Sequence, residues 1–565
     1  MGQPSAGVAR EAATAEARPA RSWPNLARWA RVAAYVVAAV TLFFCYLRLS
    51  QTQAVTSDGA ANALQAWDML HGNLLLRGWT LSDVSFYTTE LPEYMGVDLI
   101  RGLGTDVVHV AAAFTYTLLV LLVGLLAKGR AKGREALVRV LIASAIMIAP
   151  QPSPGAFILL LSPDHTGTQV PLLVTWLVLD RAPRRWYVPL IIAVMLTWIQ
   201  IGDTITLIVA VAPLTLVCAL RIGQGLVRRE TLRARWYEAS LGVAAVSSAG
   251  AAWLAVHVIN RLGGYTVIGL PTLPARLREI PEQLRLTADG VLALYGASYS
   301  DLHSGLATAF AVVHLAGLAL AVWAFGLAIW RFFRSDDLVV QVLTVAIVIN
   351  LAAFAFSRLP GNAYSFRQIV AVLPLGAVLA GRLLAGPSLA GPSPAGPSLA
   401  GPSLAAPSLA GQVPRLRLRL VPVLGVVVAC YVAALGYGVA QPAVPAQNQA
   451  LADWLVTHHL KTGLTGSAAN VTTLDTGGRV RLLVTYFWWS GAAPDVYESK
   501  ASWYDRRLHY ANFVVSNRVD RTTVAPYPVA VADFGRPERI YRFRDYTIMI
   551  WDKNLLADLG APGTQ

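Results

Sequence analysis

Charge is what this 565-residue sequence has least of: 14% of its residues are Asp, Glu, Lys or Arg, where a soluble globular chain carries about a quarter. With 55% hydrophobic residues and a mean hydropathy of +0.51, that shortage excludes an ordinary water-soluble enzyme. Cysteine is scarce too. Cys45, Cys218 and Cys430 each fall in an apolar stretch, so they read as small packing residues and supply neither a disulfide framework nor a zinc-ligand set. Acids are fewer than bases, 32 against 46, leaving a net charge of +14. The bases sit between apolar stretches, as in Lys128 to Arg134, Arg181 to Arg185, Arg228 to Arg235, Arg331 with Arg334, and Arg415 to Arg419. That is the bias that holds short loops in the cytoplasm, and it gives no support to a nucleic-acid partner.

What is present in abundance is long apolar runs, such as Val32 to Leu49, Val107 to Ala127 and Leu306 to Trp330; about 20 apolar residues cross a hydrocarbon core of about 30 Å. Walking the chain gives a mainly α fold, a polytopic helical membrane protein with about eleven transmembrane helices and a small C-terminal α/β soluble domain. Residues 1–30, rich in Ala, Arg and Pro, read as a disordered cytoplasmic N-terminus without a cleavable signal. A transmembrane domain follows over 31–385, with long outer loops at 50–106 and 260–304. Residues 386–414 repeat Gly-Pro-Ser-Leu-Ala and read as a linker. The last span occupies 415–440 and delivers an extracytoplasmic domain, 441–565. Its helix is expected near Ala450 to Leu460, and strands at Val480 to Phe487, Phe513 to Asn517 and Thr547 to Trp551. Trp488, Trp489, Tyr497, Trp503 and Tyr504 suit sugar faces or, more commonly, core packing.

Polar residues at the membrane boundary carry the functional argument. Asp58 follows the first span in Thr56-Ser-Asp58-Gly; it suits a general base, and it equally suits the cap of the helix behind it. Glu90 and Glu93 flank Pro92 in the same loop, where solvated carboxylates are common. His165, beside Asp164, suits binding of phosphate, metal or a hydroxyl, or simple hydration. Asp203 lies between two short apolar stretches, where a carboxylate costs about 2.5–3.5 kcal/mol unless paired or hydrated; it also suits a helix cap. Arg358 and Arg367 flank an outer loop against the positive-inside trend, and guanidinium forks suit a phosphate as well as anionic headgroups.

The order of Ser57-Asp58-Gly59, Phe86-Tyr-Thr-Thr-Glu-Leu-Pro92, Asp164-His165-Thr-Gly-Thr168, Gly202-Asp203 and Gly376-Ala-Val-Leu-Ala-Gly-Arg382 resembles the GT-C superfamily of polyprenyl-phosphate-sugar-dependent glycosyltransferases, uncharacterised actinobacterial members in particular. The resemblance implies a transferase acting at the outer face of the plasma membrane. Its partners would be a polyprenyl-phosphate-linked sugar, an envelope glycan, lipid or protein acceptor, and membrane lipids. Asp58 stands where the superfamily has an acid serving as base or metal ligand, with Glu90, His165, Asp203, Arg358 and Arg367 as substrate-binding candidates. Glycine, not a second acid, follows Asp58, a departure from the superfamily's pattern that takes away one expected metal ligand; a divalent metal is a candidate cofactor whose ligands stay open. The alternatives are a transporter or lipid flippase, expected to bury polar residues in several spans, and a non-catalytic envelope scaffold. An enzyme should gather Asp58, His165, Asp203 and Arg367 at one cavity; a scaffold should leave them scattered.

Overall fold

Unbroken apolar sequence leaves the backbone one way to pair its own polar groups in hydrocarbon, and the chain takes it as helices. The computed structural model describes residues 24–150, 158–269, 273–299, 305–361, 363–385, 414–446, 448–466, 469–488, 491–517 and 527–560. The expected N-terminal tail up to residue 23, and nearly all of the pentapeptide linker, lie outside these. Among the described residues, seven helices are long and apolar enough to cross a membrane: Val32–Ser50, Asp106–Lys128, Leu207–Val227, Leu232–Arg261, Gly305–Trp330, Leu338–Ala355 and Tyr364–Leu384. Tyr187–Gly202 and Gly425–Val439 are shorter apolar helices. The expected third and fourth spans fall on Gly133–Ile148 and Thr166–Arg181, 16 residues each, or about 24 Å of helix.

Asp106–Lys128 is the hub, packed against the first helix and against Gly133–Ile148, Thr166–Arg181 and Val372–Leu384. One continuous apolar core joins them through Tyr46, Tyr116, Trp176, Leu343 and Val378. The basic loops meet at one end of this bundle. There Arg382, almost fully buried, holds Asp180 and Asp337, both at 2.9 Å, and donates to the Leu126 carbonyl. Removing one partner of a buried ion pair leaves the other charges uncompensated, at a cost of about 3–5 kcal/mol. Arg382→Ala should therefore lower the melting temperature of the detergent-solubilised protein steeply; an unchanged melting temperature would show that water already screens these carboxylates.

The first loop and the C-terminal region share the opposite end. In the first loop lies β1 (Trp79–Leu81), and in the loop after Arg261 lies β2 (Thr266–Val267). The C-terminal region contributes β3 (Thr462–Thr465), β4 (Arg481–Trp488), β5 (Gly491–Pro494), β6 (Ser499–Lys500), β7 (Phe513–Asn517), β8 (Arg539–Phe543) and β9 (Tyr546–Ile550). Six of them form a sheet in the order β5-β4-β3-β7-β9-β8, with β3 parallel to β4 and β7 and the remaining pairs antiparallel. β4, β7 and β9 run where β-branched and aromatic residues forecast strands, and Gly477 and Gly478 make the tight turn before β4 at φ of 62° and 73°.

A second sheet, β2-β1-β6, ties the two halves of the chain together. Across it Lys500 Nζ reaches Asp68 at 2.9 Å, Asp68 also accepts from the Trp79 indole at 2.7 Å, and Trp503 packs edge-on against Trp79. The first loop and the C-terminal domain therefore lie side by side at this end.

Candidate functional site

The site starts from two interruptions. Helix Tyr187–Gly202 ends at Gly202, and Asp203 caps the next helical turn by accepting from the Ile205 N–H at 3.0 Å. Residues 85–90 of the first loop are stitched onto that break: the Phe86 N–H donates to the Gly202 carbonyl at 2.8 Å and the Ser85 hydroxyl to the Ile201 carbonyl, also at 2.8 Å. The approach is too close for a side chain. A Cβ on Gly202 would stand 2.5 Å from the Thr89 hydroxyl oxygen, and one on Gly167 would stand 2.6 Å from the Glu90 side chain.

Behind this seam runs a fully buried polar chain. Glu90 Oε1 accepts from the Thr168 N–H at 2.8 Å, and the Thr168 hydroxyl lies 3.0 Å from the same oxygen and 2.8 Å from Asp203 Oδ2. One hydroxyl proton cannot serve two carboxylates. Burial, reinforced by Asp203, pushes Glu90 well above the usual carboxylate range, which favours the Thr168 hydroxyl donating to Asp203. Asp203 Oδ2 lies 2.7 Å from His165 Nδ1, and His165 Nε2 faces the Gln368 amide at 3.1 Å. Burial works against charge on both groups, but their mutual attraction outweighs it: His165 is raised and Asp203 lowered from their ordinary values. His165 holds φ at 57°, a left-handed conformation rare outside glycine and concentrated at functional sites.

Arg367, next to Gln368, opens onto the front of the site. Its Nη1 is 2.6 Å from Asp58 Oδ2 and 3.9 Å from Asp164 Oδ2, and its Nη2 is 3.7 Å from Asp83. Asp164 is held in place by the Ser162 hydroxyl at 2.6 Å and the Asn62 amide at 2.8 Å. Burial and the Asp58 charge lift Asp164 to about 6, with Arg367 pulling the other way. Asp58 lies in the first turn of helix Ser57–Leu70, but its cap is Thr56, whose hydroxyl accepts from the Gly59 N–H. Asp58 is thus left to the arginine. A cavity of about 30 Å³, lined by Thr56, Asp58, Ser162, Asp164, Tyr364 and Arg367 among others, leaves room for roughly one water.

Of the sequence candidates, Asp58 and Arg367 line the cavity, His165 and Asp203 stand sealed behind it, and Glu90 joins through Thr168. Arg358 is elsewhere. Its Nε is 3.0 Å from Glu279 and its N–H donates to the Leu273 carbonyl, so it is paired within the neighbouring loop and apart from the cluster. Glu93 turns away to the Thr115 hydroxyl. Sequence reasoning missed Asp83, which no motif marks, and treated Asp164 as a mere neighbour of His165. Among the described residues no group of three or more His, Cys, Asp and Glu is placed to hold a metal ion; a guanidinium stands between the three aspartates. A larger cavity of about 670 Å³ opens on another side of the first loop, between Gln51, Arg101, His109, Gln449 and Asp475, and none of the clustered acids lines it.

No family model matches this sequence, and no curated protein matches it. Solved structures do match. ArnT from Cupriavidus metallidurans in the apo state is 14% identical with a TM-score of 0.50, over 94% of this chain and 99% of that one. The same protein bound to undecaprenyl phosphate is 14% identical with a TM-score of 0.51, over 95% and 99%. The oligosaccharyltransferase AglB from Archaeoglobus fulgidus, in complex with an inhibitory peptide and a dolichol-phosphate, is 13% identical with a TM-score of 0.46, over 90% and 71%. ArnT and AglB are GT-C glycosyltransferases. The ArnT matches run nearly end to end, so the chain has the fold that the sequence motifs resemble, carried through the C-terminal domain.

Proposed function

We propose that this chain is a GT-C type membrane glycosyltransferase that moves a sugar from a polyprenyl-phosphate carrier to a hydroxyl of a cell-envelope glycan, lipid or protein. The observation that carries it is Arg367 held among Asp58, Asp83 and Asp164 on this fold. The acceptor oxygen attacks the anomeric carbon, the bond from that carbon to the phosphate oxygen breaks, and the acceptor proton passes to Asp58. The phosphate leaves on its lipid with its developing charge against Arg367, whose fork can serve a phosphate and a carboxylate together. The undecaprenyl phosphate bound by ArnT is the model for the carrier. His165, fixed by Asp203 and Gln368, orients the loop that presents Asp164. Asp58, Asp164 and Arg367 share one cavity, which favours an enzyme over a scaffold that would leave them scattered.

The basic loops collect at the opposite end of the bundle, and the positive-inside bias supports an outward-facing site and C-terminal domain with a cytoplasmic N-terminus. Labelling, in intact cells, of a cysteine introduced into the C-terminal domain, which has none of its own, tests that orientation, and a cytoplasmic result overturns it. Undecaprenyl phosphate should raise the melting temperature of the solubilised protein, and deletion of the gene should remove one sugar from the envelope. Asp58→Asn, at normal protein level, should lower that product about a hundredfold or more. Full product from Asp58→Asn removes Asp58 from the chemistry.

A further inference from the structure

The C-terminal domain does more than sit beside the first loop. Strand β6 begins at Ser499, and the residue before it, Glu498, is 4% exposed. Pairing of β6 with β1, donation from the Ala501 N–H to the Gly78 carbonyl at 2.8 Å and the Lys500 ion pair to Asp68 pin this strap to the first loop on one side. On its other side the Asn470 amide donates to the Glu498 carbonyl oxygen at 3.3 Å. The backbone of Glu498 is thus fixed from both halves of the chain. Its carboxyl has no hydrogen-bonding partner among the described residues. Antiparallel pairing of Ser499 with Thr80 sets Glu498 beside the Leu81–Ser82 step that leads into Asp83, and Asp83 Oδ1 is 3.7 Å from Arg367 Nη2. A carboxyl that is nearly buried, held by its backbone from both sides and engaged in no hydrogen bond of its own can receive a ligand hydroxyl.

We infer that Glu498 is an acceptor-binding residue: the C-terminal domain supplies the carboxyl that receives a hydroxyl of a sugar-like or polyol acceptor next to Asp58. This rests on the transferase reading and extends it to the acceptor side. Burial, with the neighbouring aspartates adding to it, raises Glu498 well above the usual carboxylate range, so it can donate to one hydroxyl oxygen and accept from another. Asp58 takes the proton of the reacting hydroxyl, and Glu498 holds the acceptor in line. Because the strap belongs to a domain far along the chain, acceptor choice can vary with that domain while the carrier end of the site stays the same.

The test uses full-length protein, with undecaprenyl phosphate as the probe of the carrier side and envelope sugar in a complemented deletion strain as the readout of transfer. Glu498→Ala should lower product about tenfold or more, the cost of a lost hydrogen bond in a buried site, while the rise in melting temperature with undecaprenyl phosphate is retained. Glu498→Gln, which keeps the shape and a donor, should retain more product than the alanine variant. If Glu498→Ala cannot be purified folded, Glu498→Gln carries the same two readouts. Full product from the variants overturns the inference, and so does loss of the undecaprenyl phosphate response in step with product. A wild-type protein that shows neither response nor any sugar change on deletion defeats the transferase reading itself, which is a separate result.

Discussion

Arg367→Ala is expected to lower transfer about a thousandfold and to abolish stabilisation by undecaprenyl phosphate. In the proposed reaction the arginine has two tasks. It pairs with Asp58 at 2.6 Å and attracts Asp83 and Asp164 at 3.7 and 3.9 Å, and it faces the departing phosphate. Removing a positioned donor to a developing anion costs about 10²–10³ in rate. Leaving three carboxylates without a counter-ion adds repulsion to any approaching phosphate. Those same carboxylates offset the cost of burying the guanidinium, so the charge and its anionic surround stand or fall together. Arg367→Lys separates the tasks: an ammonium keeps the charge but not the planar fork. It should retain part of the lipid-phosphate response and lose most of the rate. Equal activity in the lysine variant would show that a point charge suffices and that the fork geometry has no role.

The helical part of this fold was legible because hydrocarbon tolerates so few backbone solutions. Spans at Asp106–Lys128 and Leu338–Ala355 are continuous apolar runs, and ionisable residues beside them stand out where charge is rare. Asp58, His165, Asp203 and Arg367 stand out that way; Asp58 and Arg367 share one cavity, and His165 and Asp203 pack behind it. The same logic could not separate Arg367 from Arg358. Both break the positive-inside trend, and which carboxylate each one meets depends on how the loop around Glu279 folds back, which sequence spacing does not encode. Asp83 gave no signal because it sits in a polar loop, Ser82-Asp83-Val84-Ser85, that looks like any solvated turn. Glu498 was hidden by distance. It reaches the site through pairing of two short strands, Trp79–Leu81 and Ser499–Lys500, and strands of three and two residues leave no periodicity to read.

Asp203→Asn is the second change expected to act strongly, and its signature is a pH dependence. The Asp203 and His165 side chains are fully buried and 2.7 Å apart. The folded-state value of His165 is raised, so its share of stability is complete below its unfolded value, about 6.5, and is lost as pH rises through the folded value. Asp203 is lowered, so its share is present above its unfolded value, about 3.9, and is lost as pH falls through the folded value. The pair therefore contributes most between about pH 4 and 6.5. Breaking such a pair costs about 3–5 kcal/mol. The melting temperature of Asp203→Asn should fall furthest below wild type near pH 5.5 and recover part of the difference near pH 8.5, where His165 approaches neutrality and asks only for a hydrogen-bond acceptor. Transfer should fall as well, because the loop from Ser162 to Thr168 that carries Asp164 is held to the bundle through His165 and Thr168, both of which contact Asp203. A melting difference of the same size at both pH values would mean that His165 is never charged in the fold and that Asp203 acts only as a neutral strut.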